Sequence, residues 1–188
     1  MFSLKEVLGF LAVAISVFSL LPYIIDILKK KTKPHLYTWI VWTPLTFIAF
    51  FAQVSGNAGP GAWTTGVTAT LCLIILALAF PFGTKNITKS DNWSLVGVAI
   101  AAALWFVVKN AVASIVLVTL IDVMAFIPTI RKSLTHPHEE TLITHEASMA
   151  KHFISLFALD RVSILTALYP AAVCLANAVL VSVIIIKR

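Results

Sequence analysis

Residues 21–35 of this sequence read LPYIIDILKKKTKPH, and residues 127–138 read IPTIRKSLTHPH. Each stretch ends an apolar segment with a proline, Pro22 or Pro128, and then continues into a short basic loop. Matching positions are separated by about 103–106 residues. Because similarity at one fixed separation indicates an internal repeat, the sequence predicts two copies of one structural unit.

The composition places both copies in a membrane. Of the 188 residues, 60% are hydrophobic and 12% are charged, whereas an average soluble domain is about half apolar and about a quarter charged. A soluble domain of this size has too little interior to bury so many apolar side chains. These proportions exclude a disordered chain, a nucleic-acid-binding module and an ordinary cytosolic enzyme. They predict an all-α integral membrane protein.

Seven apolar stretches are candidates for transmembrane helices, since a bilayer-spanning helix needs about 20 mostly apolar residues. The sixth stretch is the most polar, because it contains His145, Glu146, Lys151 and His152. We place the seven helices at 6–28, 37–54, 62–82, 92–108, 111–130, 144–159 and 162–186.

The repeat and the basic loops together predict how these helices are arranged. Residues 1–83 form the first three-helix unit and residues 111–188 form the second. Both basic loops lie on the same face of the membrane, so the two units are parallel. Because three helices leave the chain on the opposite side, a parallel second unit requires one further crossing. Residues 84–110 supply this inversion linker helix, which faces lipid because residues 95–108 have no polar side chain that could line a path.

Lys and Arg residues set the orientation, because positively charged loops stay in the cytoplasm. Eleven of the 14 fall on one face, Lys151 among them, and three fall on the other. The loops 29–36, 83–91 and 131–143 are therefore predicted to be cytoplasmic, and residues 55–60 to lie outside. We expect a multi-pass cell-membrane protein with its N-terminus outside and its C-terminus in the cytoplasm. The net charge of +6 reflects the excess of Lys and Arg on the cytoplasmic face, where they contact the bilayer. It does not indicate binding of nucleic acid.

This plan of three helices, one linker and three helices resembles the SWEET and PQ-loop superfamily. The residues that carry the resemblance are Pro22-Tyr23 and Pro128-Thr129, each followed by a basic loop, where the family has Pro-Gln. Pro44 matches the family's proline in helix two. The family includes sugar uniporters, proton-coupled amino-acid exporters, vitamin transporters and KDEL receptors. The resemblance also implies that Pro22, Tyr23, Pro128 and Thr129 form the hinge of an inner gate.

Polar residues recur along one face of six of the seven predicted helices. A polar side chain is costly in lipid, so it turns inward or toward water. Helix one has Ser16, Ser19, Tyr23 and Asp26 at spacings that fall on one helical face. Such stripes predict a bundle that lines a polar path. The alternative is that individual Ser and Thr hydroxyls bond to their own backbone or join neighbouring helices.

Asp122, Trp42, Asn177 and Ser16 are the predicted substrate-binding residues. Asp122 lies near mid-span, where a carboxylate must be paired or protonated, and its counterpart in the first unit is Ser16. Trp42 lies on the polar face of helix two, where its ring can stack on a solute. The resemblance implies that Trp42 and Asn177 match the Trp and Asn of sugar carriers. For Asp122, a structural hydrogen bond is the alternative, and Trp39, nearer its helix end, is predicted to be an interfacial anchor.

Two further groups of polar residues have predicted roles. His145 and His152 share a face of helix six. Since histidine titrates in the physiological range, they are a candidate proton relay; the alternative is that the first turns of this helix lie among lipid headgroups. Gln53, Asp160 and Arg161, toward the outside, are candidates for an outer gate that closes through polar contacts.

These features predict a small-solute transporter that works by alternating access. The solute is a sugar, an amino acid or a vitamin-like molecule, and proton coupling is an option. The alternative is a non-transporting receptor or sorting protein with a polar ligand pocket. No enzyme activity, cofactor or metal is predicted, because the sequence has no nucleophile–base pair, glycine-rich phosphate loop or full set of metal ligands. The expected partners are the solute and the bilayer, and the oligomeric state, a homo-oligomer included, stays open.

Overall fold

Seven α-helices make up the chain in the computed structural model, which describes residues 2–85, 89–139 and 142–188. The predicted all-α class and the seven helices are confirmed. Segments 86–88 and 140–141 of the predicted cytoplasmic loops lie outside the described residues. Short 3-10 turns cover Gly59–Ala62 and Pro137–Glu139. The helices are α1 (Leu4–Leu28), α2 (Leu36–Ser55), α3 (Trp63–Phe82), α4 (Lys89–Phe106), α5 (Ala111–Thr135), α6 (Leu142–Phe157) and α7 (Ile164–Lys187).

Five of these helices, with the first 3-10 turn counted into α3, are long and apolar enough to span a membrane. The two others, α4 and α6, correct the expectation of seven full apolar spans. The apolar part of α4 covers only Leu95–Phe106. α6 has 16 residues, and at 1.5 Å per residue it is about 24 Å long, less than the roughly 30 Å of a hydrocarbon core. Its low hydropathy has a physical cause, because its polar face is turned into the bundle.

Six helices form a closed ring. α1 contacts α3 and α6, α2 contacts α3 and α5, and α7 contacts α5 and α6. Around the ring the order is therefore α1, α3, α2, α5, α7 and α6. α4 packs against α2 and α5, with Val98 and Ala101 buried against them.

Loop contacts define the two ends of this ring. At one end, here called the basic end, the loop after α1 pairs with the end of α3: Leu36 N–H donates to the Thr84 carbonyl at 2.9 Å, and Thr84 N–H donates to the Pro34 carbonyl at 2.8 Å. At the other end, here called the opposite end, Asp160 N–H donates to the Ala58 carbonyl at 3.0 Å. These contacts place residues 29–35 and 84–85 together, and residues 56–62 and 158–163 together.

Gly59 is required at the opposite end by its backbone. It has a φ of +58°, and a side-chain carbon there would overlap the Asp160 carboxylate. Asp160 also forms an ion pair with Lys5 near the start of α1, with Nζ and Oδ1 3.3 Å apart. The 3-10 turn, the loop after α6 and the start of α1 are thus held to one another at this end.

Candidate functional site

A cavity of about 220 Å³ lies inside the ring. All six ring helices contribute to its wall, whereas no described residue of α4 does so. The cavity reaches the surface of the bundle on α5 and α6, where the lining residues Ala125 and Thr144 are exposed. Both residues lie in the halves of their helices nearer the basic end.

Toward the opposite end the cavity is closed by a packed polar layer. The Ser16 and Thr64 hydroxyls are hydrogen-bonded at 2.6 Å, which joins α1 to α3. Gln53 Nε2 donates to the Thr166 carbonyl at 3.1 Å, which joins α2 to α7. All four side chains are buried. A small apolar cluster of Ala58, Ala62 and Leu159 is also buried at this end.

The structure brings three of the four predicted binding residues together. Asp122, Trp42 and Asn177 all line the cavity. Ser16 does not, which corrects its expected position opposite Asp122. Its hydroxyl is used by Thr64 and by the Ala12 carbonyl, at 2.6 Å and 3.0 Å. Binding of a solute by these three residues stays a prediction.

Asn177 connects α7 to α6 across the cavity wall. Its amide nitrogen donates to Ser148 Oγ at 3.2 Å and to the Val173 carbonyl at 2.8 Å. Its amide oxygen lies 3.2 Å from His145 Nδ1. His145 and His152, the candidate proton relay, both line the cavity, and His152 Nδ1 lies 2.8 Å from the Ser148 carbonyl.

Lys151 lies in the cavity wall and not on the cytoplasmic face predicted for it. It was counted with the cytoplasmic face, but it is only 5% exposed and lines the cavity. Its ammonium donates to Thr68 Oγ1 at 3.1 Å and interacts electrostatically with the Asp122 carboxylate. The positive bias of the predicted cytoplasmic face therefore falls from 11 to ten residues. The signal was present in the sequence, because Thr144, Ser148 and Lys151 follow one another at spacings of four and three, on one helical face.

Asp122 lines the same cavity from α5, which α7 separates from α6 in the ring. Its carboxylate interacts with the Tyr169 hydroxyl of α7 and with the charge of Lys151. It does not form a direct ion pair with Lys151, since the one direct ion pair among the described residues joins Lys5 and Asp160. Two opposite charges thus line one cavity without touching each other.

Aromatic rings form another part of the wall. Trp39 and Trp42 lie edge to face with ring centroids 5.6 Å apart, and both line the cavity. Trp39 is buried, which corrects its expected role as an interfacial anchor. Tyr23, predicted at the inner gate, packs on Trp39 with centroids 5.7 Å apart and is not a lining residue.

The remaining predicted gate residues lie toward the two ends. Pro22 and Pro128 are inside α1 and α5, and Thr129 lines the cavity one residue past Pro128. Asp160 is paired with Lys5, while the Arg161 carbonyl accepts a hydrogen bond from Thr166 Oγ1 at 2.7 Å. Their role as gates stays a prediction.

Among the described residues, no group of three or more His, Cys, Asp or Glu side chains is arranged to hold a metal ion. Comparison of this chain with protein-family models, with curated proteins and with solved structures finds no match. Functional inference therefore depends on the cavity and its side chains.

Proposed function

We propose that this protein is a small-solute transporter of the cell membrane that works by alternating access. The observation that carries the proposal is the cavity inside the six-helix ring, which has exposed lining residues in the basic-end halves of α5 and α6 and is closed by packed side chains at the opposite end. A carrier that alternates its access has this form in one of its two states, with the solute site near the middle of the bundle. Asp122, Trp42 and Asn177 are the proposed contacts to the solute.

The helix contacts support two parallel three-helix units joined by α4, the plan of the SWEET and PQ-loop superfamily. If α1, α2 and α3 correspond to α5, α6 and α7, each contact in one unit should have a counterpart in the other. The contacts α1–α3 and α2–α3 correspond to α5–α7 and α6–α7. The contact α1–α6 between the units corresponds to α2–α5, and all of these contacts occur. The weaker contact α3–α6 corresponds to α2–α7 in the same way. Because α4 has no counterpart among these helices, it fits the proposed linker. The solute site then lies between the two units.

We propose that the basic end faces the cytoplasm, and cysteine labelling tests this orientation. On a Cys72→Ser, Cys174→Ser background, a membrane-impermeant maleimide added to intact cells should modify Ser55→Cys and spare Thr32→Cys. The reason is that the loop at 29–36 carries four lysines, whereas residues 55–60 carry none. Permeabilised cells, in which both positions should react, are the control. Labelling of position 32 alone in intact cells contradicts the orientation.

Counterflow in liposomes tests transport itself. Purified protein is reconstituted in vesicles loaded separately with unlabelled sugars, amino acids or vitamins, and the uptake of a labelled trace of the same class is followed. A carrier should give a transient accumulation for one class, because the loaded solute exchanges through the alternating site. Protein-free vesicles are the control. A solute that binds the protein without any counterflow contradicts transport and favours the receptor alternative.

A further inference from the structure

Lys151 and Asp122 give the cavity two poles of opposite charge. The Lys151 ammonium has three hydrogens to donate, and Thr68 is its one acceptor among the described residues. Thr65, one turn before Thr68 on α3, also lines the cavity, and its buried hydroxyl has no hydrogen-bond partner in the described part of the chain. Buried polar groups are normally hydrogen-bonded, so this pole has donors left for a ligand.

The second pole is formed by Asp122 and Tyr169. The Tyr169 hydroxyl interacts with the Asp122 carboxylate, and the tyrosine is buried. A carboxylate has two oxygens and accepts several hydrogen bonds. After the contact with Tyr169, acceptor positions remain for a cationic group.

From these two poles we infer that the cavity binds a small zwitterion, a molecule with one carboxylate and one protonated amine, such as a free amino acid. The carboxylate lies at Lys151, Thr68 and Thr65, and the ammonium at Asp122. Because the cavity is proposed above to carry the solute across the membrane, this substrate class rests on that proposed function.

Charge balance selects a zwitterion over other small solutes. With one ammonium and one carboxylate in its wall, the cavity carries no net charge, and burying an uncompensated charge is costly. A zwitterion pairs with both poles and adds no net charge. A monoanion or a monocation leaves one pole unmatched, and an uncharged sugar neutralises neither.

The size and the remaining wall of the cavity agree with one amino acid. A protein cavity of about 150 Å³ holds one benzene molecule, so the 220 Å³ found here suits one molecule of roughly ten non-hydrogen atoms. Trp39, Trp42 and Phe126 give an apolar surface for a side chain. A disaccharide is too large.

Cys72 provides a direct test of binding, because it lines the cavity near Lys151. In the full chain with Cys174→Ser, the rate of Cys72 modification by methyl methanethiosulfonate is measured with the twenty common amino acids, first mixed and then singly. At least one amino acid should slow the reaction and raise the unfolding temperature. Its two matched analogues, the acid without the amine and the amine without the carboxylate, should bind about tenfold or more weakly, because each loses a charge-assisted hydrogen bond. Protection by none of the twenty, or equal protection by an analogue, overturns the inference.

Two variants give a reciprocal result that a merely structural role cannot produce. Lys151→Met removes the positive pole, so the amine analogue should bind better than the amino acid. Asp122→Asn removes the negative pole, so the acid analogue should bind better. Lys5→Met, which removes a lysine at the opposite end, should keep the original order and is the matched control. Equal weakening of all three ligands in both cavity variants contradicts the assignment of the poles.

The outcome is separable from that of the transport proposal. Protection and counterflow by a sugar alone would leave transport standing and overturn the zwitterion. Protection by an amino acid without counterflow would leave the zwitterion site standing and overturn transport.

Discussion

A cross-link between positions 58 and 160 is expected to stop counterflow completely. The Asp160 N–H donates to the Ala58 carbonyl at 3.0 Å, so these backbones are adjacent at the closed, opposite end. Residue 58 lies in the proposed first unit and residue 160 in the second, and alternating access requires the two units to separate there. With Ala58→Cys and Asp160→Cys on a Cys72→Ser, Cys174→Ser background, a short bifunctional methanethiosulfonate reagent should abolish counterflow, and reduction should restore it.

A matched cross-link that does not join the two units is the control. The Thr84 N–H donates to the Pro34 carbonyl at 2.8 Å at the basic end. Pro34 lies in the first unit and Thr84 is the first residue of the linker segment that follows it, so this link does not join the two units. Linking Pro34→Cys to Thr84→Cys should therefore leave counterflow nearly unchanged. Both cysteine pairs must be active before the reagent is added. Full counterflow after complete linking of 58 to 160 contradicts an opening of this end.

The helices were predictable because their apolar stretches are nearly continuous. The described helices agree with the predicted stretches to within a few residues at most ends, the largest difference being that α5 continues to Thr135. Apolar content alone also predicted α6 as a complete span, although its 16 residues are too few to cross the hydrocarbon core even without tilt.

Helical spacing predicted that Asp122, Trp42 and Asn177 face the interior of the bundle, and all three line the cavity. The reason is that a polar side chain within an apolar segment must point toward other polar groups or water. The same spacing cannot reveal which helix lies opposite. Ser16 lies on the polar face of α1, but Thr64 of α3 covers it, 48 positions away. Trp39 of α2 packs against Tyr23 of α1, 16 positions away. Such contacts depend on the packing of helices distant in sequence.

The buried position of Lys151 could not be predicted for a different reason. Counting lysines to set orientation treats each one as a loop residue, and α6 was the stretch with the weakest claim to span the membrane. Only the ring arrangement shows that its polar face contacts Thr68 on α3 and lines one cavity with Asp122 of α5. A charge within an apolar bundle is costly without a compensating charge. For the Lys151 ammonium, the Asp122 carboxylate in the same cavity supplies that charge.

The coupling between Lys151 and Asp122 should be large and measurable without any solute. Removing one charge leaves the other uncompensated inside the bundle, whereas removing both leaves neither. Lys151→Met and Asp122→Asn should therefore be strongly non-additive in the free energy of unfolding, with a coupling energy of about 2 kcal/mol. The measurement is a double-mutant cycle from unfolding of the purified protein in a fixed detergent mixture titrated with dodecyl sulfate.

The exposed pair Lys5 and Asp160 is the control inside the same chain. Their side chains are 43% and 55% exposed and lie in direct contact at 3.3 Å. Water screens an exposed ion pair, so the cycle with Lys5→Met and Asp160→Asn should give less than about 1 kcal/mol. The larger coupling should thus belong to the pair that does not touch, because its surroundings are apolar. Coupling in the cavity no greater than that of the surface pair would mean that water fully screens Lys151 from Asp122, and the two would not act as joint poles for a ligand.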